Sequence, residues 1–218
     1  MIKGTRMMMK RRGAPLPYDA EVEYLESTGT QYIDTGILCT SLPDEFIVRC
    51  GLSANSLGTY YETFFGAEKN TSGWPAVYWR IQPYNDDGPG RQFKSGVGTF
   101  YNWSPVEPHV GIDYEFVLDV QTSGVKYTIN SVETRFNYSD RFRIPFDLYL
   151  FCLNNNGNAD RFANLDMRYF SIDDICDMIP IRFTNELGQS EGAMYDRVSG
   201  QLFRNAGTGA FTIGPDKS

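Results

Sequence analysis

Apolar side chains in this chain recur at every second position, and no segment sustains a 3.6-residue apolar period. In Glu45-Phe-Ile-Val-Arg-Cys50, the residues Phe46, Val48 and Cys50 share one face. In Ala76-Val-Tyr-Trp-Arg-Ile-Gln82, Val77, Trp79 and Ile81 point together while Arg80 and Gln82 point away, which assigns Trp79 to the core. In Tyr114-Glu-Phe-Val-Leu-Asp-Val120, Tyr114, Phe116, Leu118 and Val120 align opposite Glu115 and Asp119. Successive Cβ atoms of a strand point to opposite faces, so each of these reads as a half-buried strand. The run Leu148-Tyr-Leu-Phe-Cys-Leu153 is apolar on both faces. It predicts a central strand, covered on one side by a second sheet and on the other by a loop or partner. The best short-helix candidate is Ser171-Ile-Asp-Asp-Ile-Cys176.

Turn formers separate these runs. Thr122-Ser-Gly-Val125 predicts a hairpin whose second arm is Val125–Asn130. Asn85–Gly90 and Asn154–Asp160 are loops rich in Asn, Asp and Gly. No internal repeat appears, which excludes a propeller or a solenoid. A chain of 218 residues suits one domain and buries roughly 70% of its unfolded surface without help from a metal or disulfide. The expected fold is all-β: a two-sheet antiparallel jelly-roll sandwich over residues 18–218, preceded by a short extended N-terminal arm over residues 1–17.

That arm carries Lys3, Arg6, Lys10, Arg11 and Arg12 and no acid, and it ends in prolines that favour an extended path. Without those five, 15 bases face 27 acids, a net charge of −12. So acidic a body repels phosphate, so nucleic acid is not its expected main ligand. The arm reads either as a disordered tail or as a docking peptide that orders on a partner. Met7-Met-Met9 is too short for the apolar core of a signal peptide, and no stretch has the length of a membrane span. The four cysteines, Cys39, Cys50, Cys152 and Cys176, form no C-x-x-C pair, and the only histidine is His109, so no zinc site and no cofactor is expected. Cys50 and Cys152 read as small buried hydrophobes; the pairing of Cys39 and Cys176 is open.

Two stretches stand near opposite ends of the chain. The first is Glu23-Tyr-Leu-Glu-Ser-Thr-Gly-Thr-Gln-Tyr-Ile-Asp-Thr-Gly36. The second runs from Ile179-Pro-Ile-Arg-Phe183 through the Gly192-Ala-Met-Tyr-Asp196 element to Gly207-Thr-Gly-Ala-Phe211. Together they resemble the first and last strands of the concanavalin A-like (laminin G-like) jelly roll found in virion proteins of gut-bacterial phages and in surface proteins of gut bacteria. The resemblance implies that an opening strand around Tyr24–Ile33 lies beside a closing strand around Gly207–Thr212. Gly200 then sits at a hairpin turn, and Gly207 and Gly209 allow a positive φ or a close backbone approach.

Glycoside hydrolases of this architecture place glutamates in an E-x-D-x-x-E or E-x-D-x-E strand, and no glutamate here fits either pattern. Asp113, Glu115 and Asp119 share a face but read as a solvated one. His109 lies in a loop entering a strand, with no nucleophile elbow to serve. The clusters Asn154–Asp160 and Asp173, Asp174, Asp177 match no dedicated calcium loop. Sugar binding needs exposed rings with amide and carboxylate neighbours. Trp74, Tyr84, Asn85, Asp86, Tyr101 and Trp103, with Asn102 between the last two, form the one such constellation. The alternative for Trp74 and Trp103 is core anchoring at strand ends.

The expected function is therefore non-enzymatic. It is a phage virion protein (capsid decoration, head fibre or tail adhesin) whose arm docks on other virion proteins and whose lectin-like domain faces outward to bind host or mucus glycans. Such proteins are expected to form homo-oligomers. The alternatives are a glycan-binding surface lectin of a gut bacterium and a glycoside hydrolase of the same fold.

Overall fold

The computed structural model describes residues 16–57, 61–69, 76–82, 91–98, 100–137 and 144–218. Its larger sheet runs β11 (Val132–Phe136), β10 (Gly124–Ile129), β9 (Asp113–Gln121), β4 (Phe46–Ala54), β15 (Asn164–Ile172), β16 (Cys176–Thr184), β17 (Ser190–Asp196), β18 (Leu202–Phe203). Beside these, β1 (Ala20–Glu21) pairs with β16, β2 (Leu25–Thr28) with β15, and β19 (Thr212–Ile213) with β2. The smaller sheet runs β14 (Asn158–Asp160), β13 (Leu153–Asn155), β5 (Thr63–Glu68), β6 (Ala76–Gln82), β7 (Gln92–Gly98), β8 (Phe100–Trp103), with β12 (Asp147–Leu150) between β3 (Ile33–Leu38) and β5. Every pairing is antiparallel except β13 with β5. This is the expected two-sheet antiparallel jelly roll.

Aromatic rings interlock the sheets. Phe93 of the smaller sheet meets Phe116 at 5.3 Å and Tyr114 at 4.9 Å, both edge-on, and Phe65 meets Phe170 at 5.2 Å. Such pairs add about 0.5–1.5 kcal/mol each beyond the area they bury. The inward residues of the 46–50 and 114–120 runs are all buried. The side chain of Trp79 lies outside the described ones, whereas Val77 on its strand is in the core.

The two ends of the domain are zipped together. Ala206 N donates to Tyr32 O, Thr208 N to Thr30 O, Gly214 N to Tyr24 O and Glu23 N to Pro215 O, flanking the β2–β19 pair. Gly207 is where the chains come closest, since a Cβ there would stand 2.1 Å from Thr30 O. Gly209 and Gly200 have φ of +73° and +76°. Asp196 of the Gly-Ala-Met-Tyr-Asp element organises the turn before Gly200. Burial alone would raise its pKa, but bonds from Asp177 N, Ser199 Oγ, Val198 N and Ser199 N hold it below the usual carboxylate range.

Two local expectations are corrected. Ser171–Cys176 is no helix: β15 runs to Ile172, Asp174 turns with φ +60°, and β16 starts at Cys176. The alternation Phe170, Ile172, Cys176, Met178, all buried, decides it. Among the described residues the one helical piece is the 3₁₀ turn Cys39–Ser41. Leu148–Leu153 is buried on both faces as expected, but it is two strands, broken where Phe151 takes a left-handed φ of +67°.

The outer face of the larger sheet differs from end to end. Over β16–β18, Ile179, Ile181, Phe183 and Ala193 form a small second cluster with Tyr195, Leu202 and Tyr18, whose ring stands 5.0 Å from that of Tyr195. Over β9, β4 and β15 it is charged. Arg168 pairs with Asp113 at 2.6 Å, Arg49 with Asp173, Lys126 with Asp119 at 3.2 Å, and the Tyr169 hydroxyl donates to Glu115. At the seam, Asp166 and Glu26 are cross-strand neighbours, and the Asn55 amide donates to both, at 2.7 and 3.3 Å. Burial, with Glu26 adding, raises the pKa of Asp166.

Two measurements check this account. Gly207→Ala should lower unfolding stability by about 2–3 kcal/mol, because the backbone carbonyl of Thr30 cannot move aside. Gly188→Ala, with φ +75° but open space, should lose only about 1 kcal/mol; equal losses in urea melts would contradict the close approach. A carboxyl with a raised folded-state pKa opposes folding above that pKa, and the penalty fades as pH falls through it. Asp166→Asn should therefore raise the thermal midpoint at pH 7, with the gain shrinking toward the ordinary carboxylate range.

Candidate functional site

The aromatic interlock sends a defined set of side chains to the outer face of the smaller sheet. With Phe65, Ala67, Val77, Phe93, Val97, Leu148 and Leu150 in the core, the alternate residues point outward. Their register forms one row across the strands: Asp34, Tyr149, Gly66, Tyr78, Gly96, Tyr101. At strand spacing the row is about 24 Å long. Its middle is packed. The Tyr78 ring lies on Gly96, where a Cβ would come within 2.6 Å of Cζ, and Tyr78 touches Leu153 and is 5% exposed.

One end of the row carries part of the expected site. Tyr101 and Trp103 stand two apart on β8, with ring centroids 6.4 Å apart and crossed at 88°. Beneath them lies Lys94, cross-strand partner of Trp103, with Nζ 3.3 Å from the Tyr101 centroid and 4.9 Å from that of Trp103. Lys94 is 6% exposed and Tyr101 is 53% exposed. A lysine in this position is held by cation–π attraction, which fixes both rings in place. Trp103 is half-buried and outside the core clusters. Asn102 points the other way: its amide donates to Arg135 O on β11 and its Oδ1 accepts from Trp103 N, tying the edge strands of the two sheets together. Trp74, Tyr84, Asn85 and Asp86 lie outside the described residues, as do the arm residues Lys3, Arg6, Lys10, Arg11 and Arg12.

The other end holds residues that sequence reasoning missed. Tyr32 packs on Tyr149 at 4.9 Å and on Phe162 at 6.0 Å, with Asp34 and Asp147 beside them. Burial, then Asp34, raises the Asp147 pKa, and the same causes push Tyr149 up to about 12. The available signal was a tyrosine inside an apolar run and an aspartate two residues after Tyr32. Tyr32 lies in the opening motif, which reads as fold-determining.

The remaining candidates are engaged elsewhere. Asp113, Glu115 and Asp119 belong to the charged face of the opposite sheet. Asp177 pairs with Arg197 at 2.7 Å, away from the Arg49 that holds Asp173. Asn154–Asp160 is the β13–β14 hairpin, in which Asn154 Oδ1 accepts from Gly157 N. His109 is exposed, and its backbone N–H donates to the Tyr114 hydroxyl. All four cysteines are buried and unpaired, with burial raising Cys39 and Cys176 to about 12 and Cys50 and Cys152 also upward. A thiol-specific disulfide reagent at pH 8 should therefore find no reactive thiol until the protein is denatured, and then four; rapid reaction of any one in the native state would contradict the burial.

No family model and no curated protein matches this sequence. Solved structures do. A proposed carbohydrate-binding protein from Bacteroides ovatus ATCC 8483 overlays with a TM-score of 0.56 at 14% identity, over 91% of this chain and 61% of that one. Domain 4 of AbnA, a GH43 extracellular arabinanase from Geobacillus stearothermophilus in complex with arabinotriose, gives 0.41 at 18% identity, over 62% and 63%. Tailspike protein 2 of Escherichia coli O157:H7 bacteriophage CAB120 gives 0.40 at 11% identity, over 74% and 26%. The chain thus spans less than two thirds of each of these proteins. The first likeness is one of fold, the concanavalin A-like jelly roll, and the two below 0.5 add nothing to it.

Proposed function

We propose that this domain binds carbohydrate, without turnover, on the outer face of its smaller sheet. The observation that carries the reading is the Tyr101–Trp103 pair on an edge strand, Tyr101 exposed and Trp103 half-buried, braced from beneath by Lys94. Rings immobilised before a ligand arrives lose little entropy when a sugar face stacks on them. The Bacteroides ovatus neighbour, with its proposed carbohydrate binding, has the same fold, and that likeness lends support only at the level of architecture. We further infer a virion setting. Its support is the resemblance of the end motifs and the basic arm, whose five cations suit an acidic groove on a particle protein. Tyr18 and β1 hold the chain just after the arm to the larger sheet, so a protein lacking residues 1–15 should fold normally and lose particle association.

A glycan array with the full chain tests the binding. Tyr101→Ala should weaken the best hit about tenfold or more, since stacking and the lysine brace go together. An empty array, or undiminished binding by Tyr101→Ala and Trp103→Ala, would remove the proposal. One observation favours a hydrolase instead: Asp147, with its raised pKa, stands beside Asp34, and such an environment suits a general acid. Release of reducing ends from an oligosaccharide, abolished by Asp147→Asn, would establish that reading in place of simple binding.

A further inference from the structure

Residues 151–163 form an excursion between β12 and β15 that folds as the β13–β14 hairpin, with β13 parallel to β5 in the smaller sheet. Phe151 N donates to Phe64 O at the exit, and Ala163 N donates to Phe151 O at the return. Near either end a bulky residue takes the left-handed region, Phe151 at φ +67° and Arg161 at φ +52°. Such a conformation is unfavourable for a bulky side chain and persists only where its surroundings impose it. The excursion brings three side chains onto the outer face: Leu153 against Tyr78, Phe162 against Tyr32, and Arg161 between Glu68 and Tyr61.

The arginine site is fully tied. Arg161 Nη1 meets Glu68 Oε2 at 3.0 Å, and the Glu68 side chain is 1% exposed. Its guanidinium lies 5.4 Å from the centre of the Tyr61 ring, and its Nε stands 3.8 Å from Asp160 Oδ2. Asp160 is fixed in turn, accepting from Asn155 Nδ2 at 3.1 Å and from Arg161 N at 2.8 Å, yet 48% of its side chain faces solvent. Tyr61 is 40% exposed. One cation faces two carboxylates, so the site carries excess negative charge and disfavours an anionic ligand. An immobile carboxylate accepts a pair of hydroxyl protons, and an adjacent ring supplies an apolar plane.

We propose that this excursion builds a second saccharide subsite, specific for neutral sugars, in which Asp160 accepts adjacent hydroxyls and Tyr61 stacks on the ring face. The packed Tyr78 separates it from Tyr101 and Trp103. It shares the ligand class of the function proposed above but none of its residues. The test is amide hydrogen exchange of the full chain with neutral trisaccharides of glucose, galactose, mannose and arabinose. Tyr61→Ala, Asp160→Asn and Tyr101→Ala are run in parallel, and thermal midpoints confirm that each variant is folded. At least one trisaccharide should slow exchange across residues 155–163 in the wild type and in Tyr101→Ala. Tyr61→Ala and Asp160→Asn should each need about tenfold more sugar for the same effect. No protection of 155–163 by any of the four sugars, or protection undiminished in both variants, overturns the proposal. Protection confined to 94–103 and lost in Tyr101→Ala overturns it too, while leaving the carbohydrate reading intact.

Discussion

The edge-on packing of Phe93 against Phe116 and Tyr114, with Phe65 on Phe170, fixes the parity of the strands on both sides of the sandwich. A strand has two faces and a period of two, so committing Phe93 inward commits Lys94 outward. The same step places Gly96 beneath Tyr78 and Tyr101 at the end of the outer row. A slip of one residue would bury Lys94 among phenylalanines and expose Phe93. The aromatic core and the outer row are therefore a single constraint seen from its two faces.

The outer surfaces of the two sheets differ in chemistry. On the larger sheet, carboxylates of β9 meet Arg168, Lys126 and the Tyr169 hydroxyl, while at the seam Asp166 of β15 lies beside Glu26. On the smaller sheet, tyrosines alternate with glycines along the outer row. Glycine there has a packing purpose, because the Tyr78 ring occupies the space a Cβ at 96 would take. The outcome is a face whose centre is filled and whose two ends present rings.

The sheet architecture was legible from alternation and turn chemistry, since both are local. The seam between the ends was legible through the end motifs, and Gly207 and Gly209 took the roles their positions implied, one a close approach and one a positive φ. The outer row was not legible, because its members come from six strands and meet only through register. Phe151 hid a chain reversal, since a phenylalanine gives no warning of a left-handed φ. Ser171–Cys176 looked helical because two acidic residues interrupt its alternation, and they turn out to be the hairpin corner. Tyr101 and Trp103 could be selected by composition, but Lys94 beneath them could not.

Tyr18 clamps the start of the domain to the outside of the larger sheet, and the ring-bearing ends of the row lie on the outside of the smaller one. Tension entering at residue 16 therefore meets the β1–β16 pairing first, together with Asp19 N on Arg182 O and Lys217 N on Glu21 O. Arg182 is also clasped by Asp216 through two hydrogen bonds. The path from that point to the Tyr101 ring crosses the whole thickness of the sandwich, through the interlock of Phe93 with Phe116 and Tyr114 and the edge tie from Asn102 to Arg135.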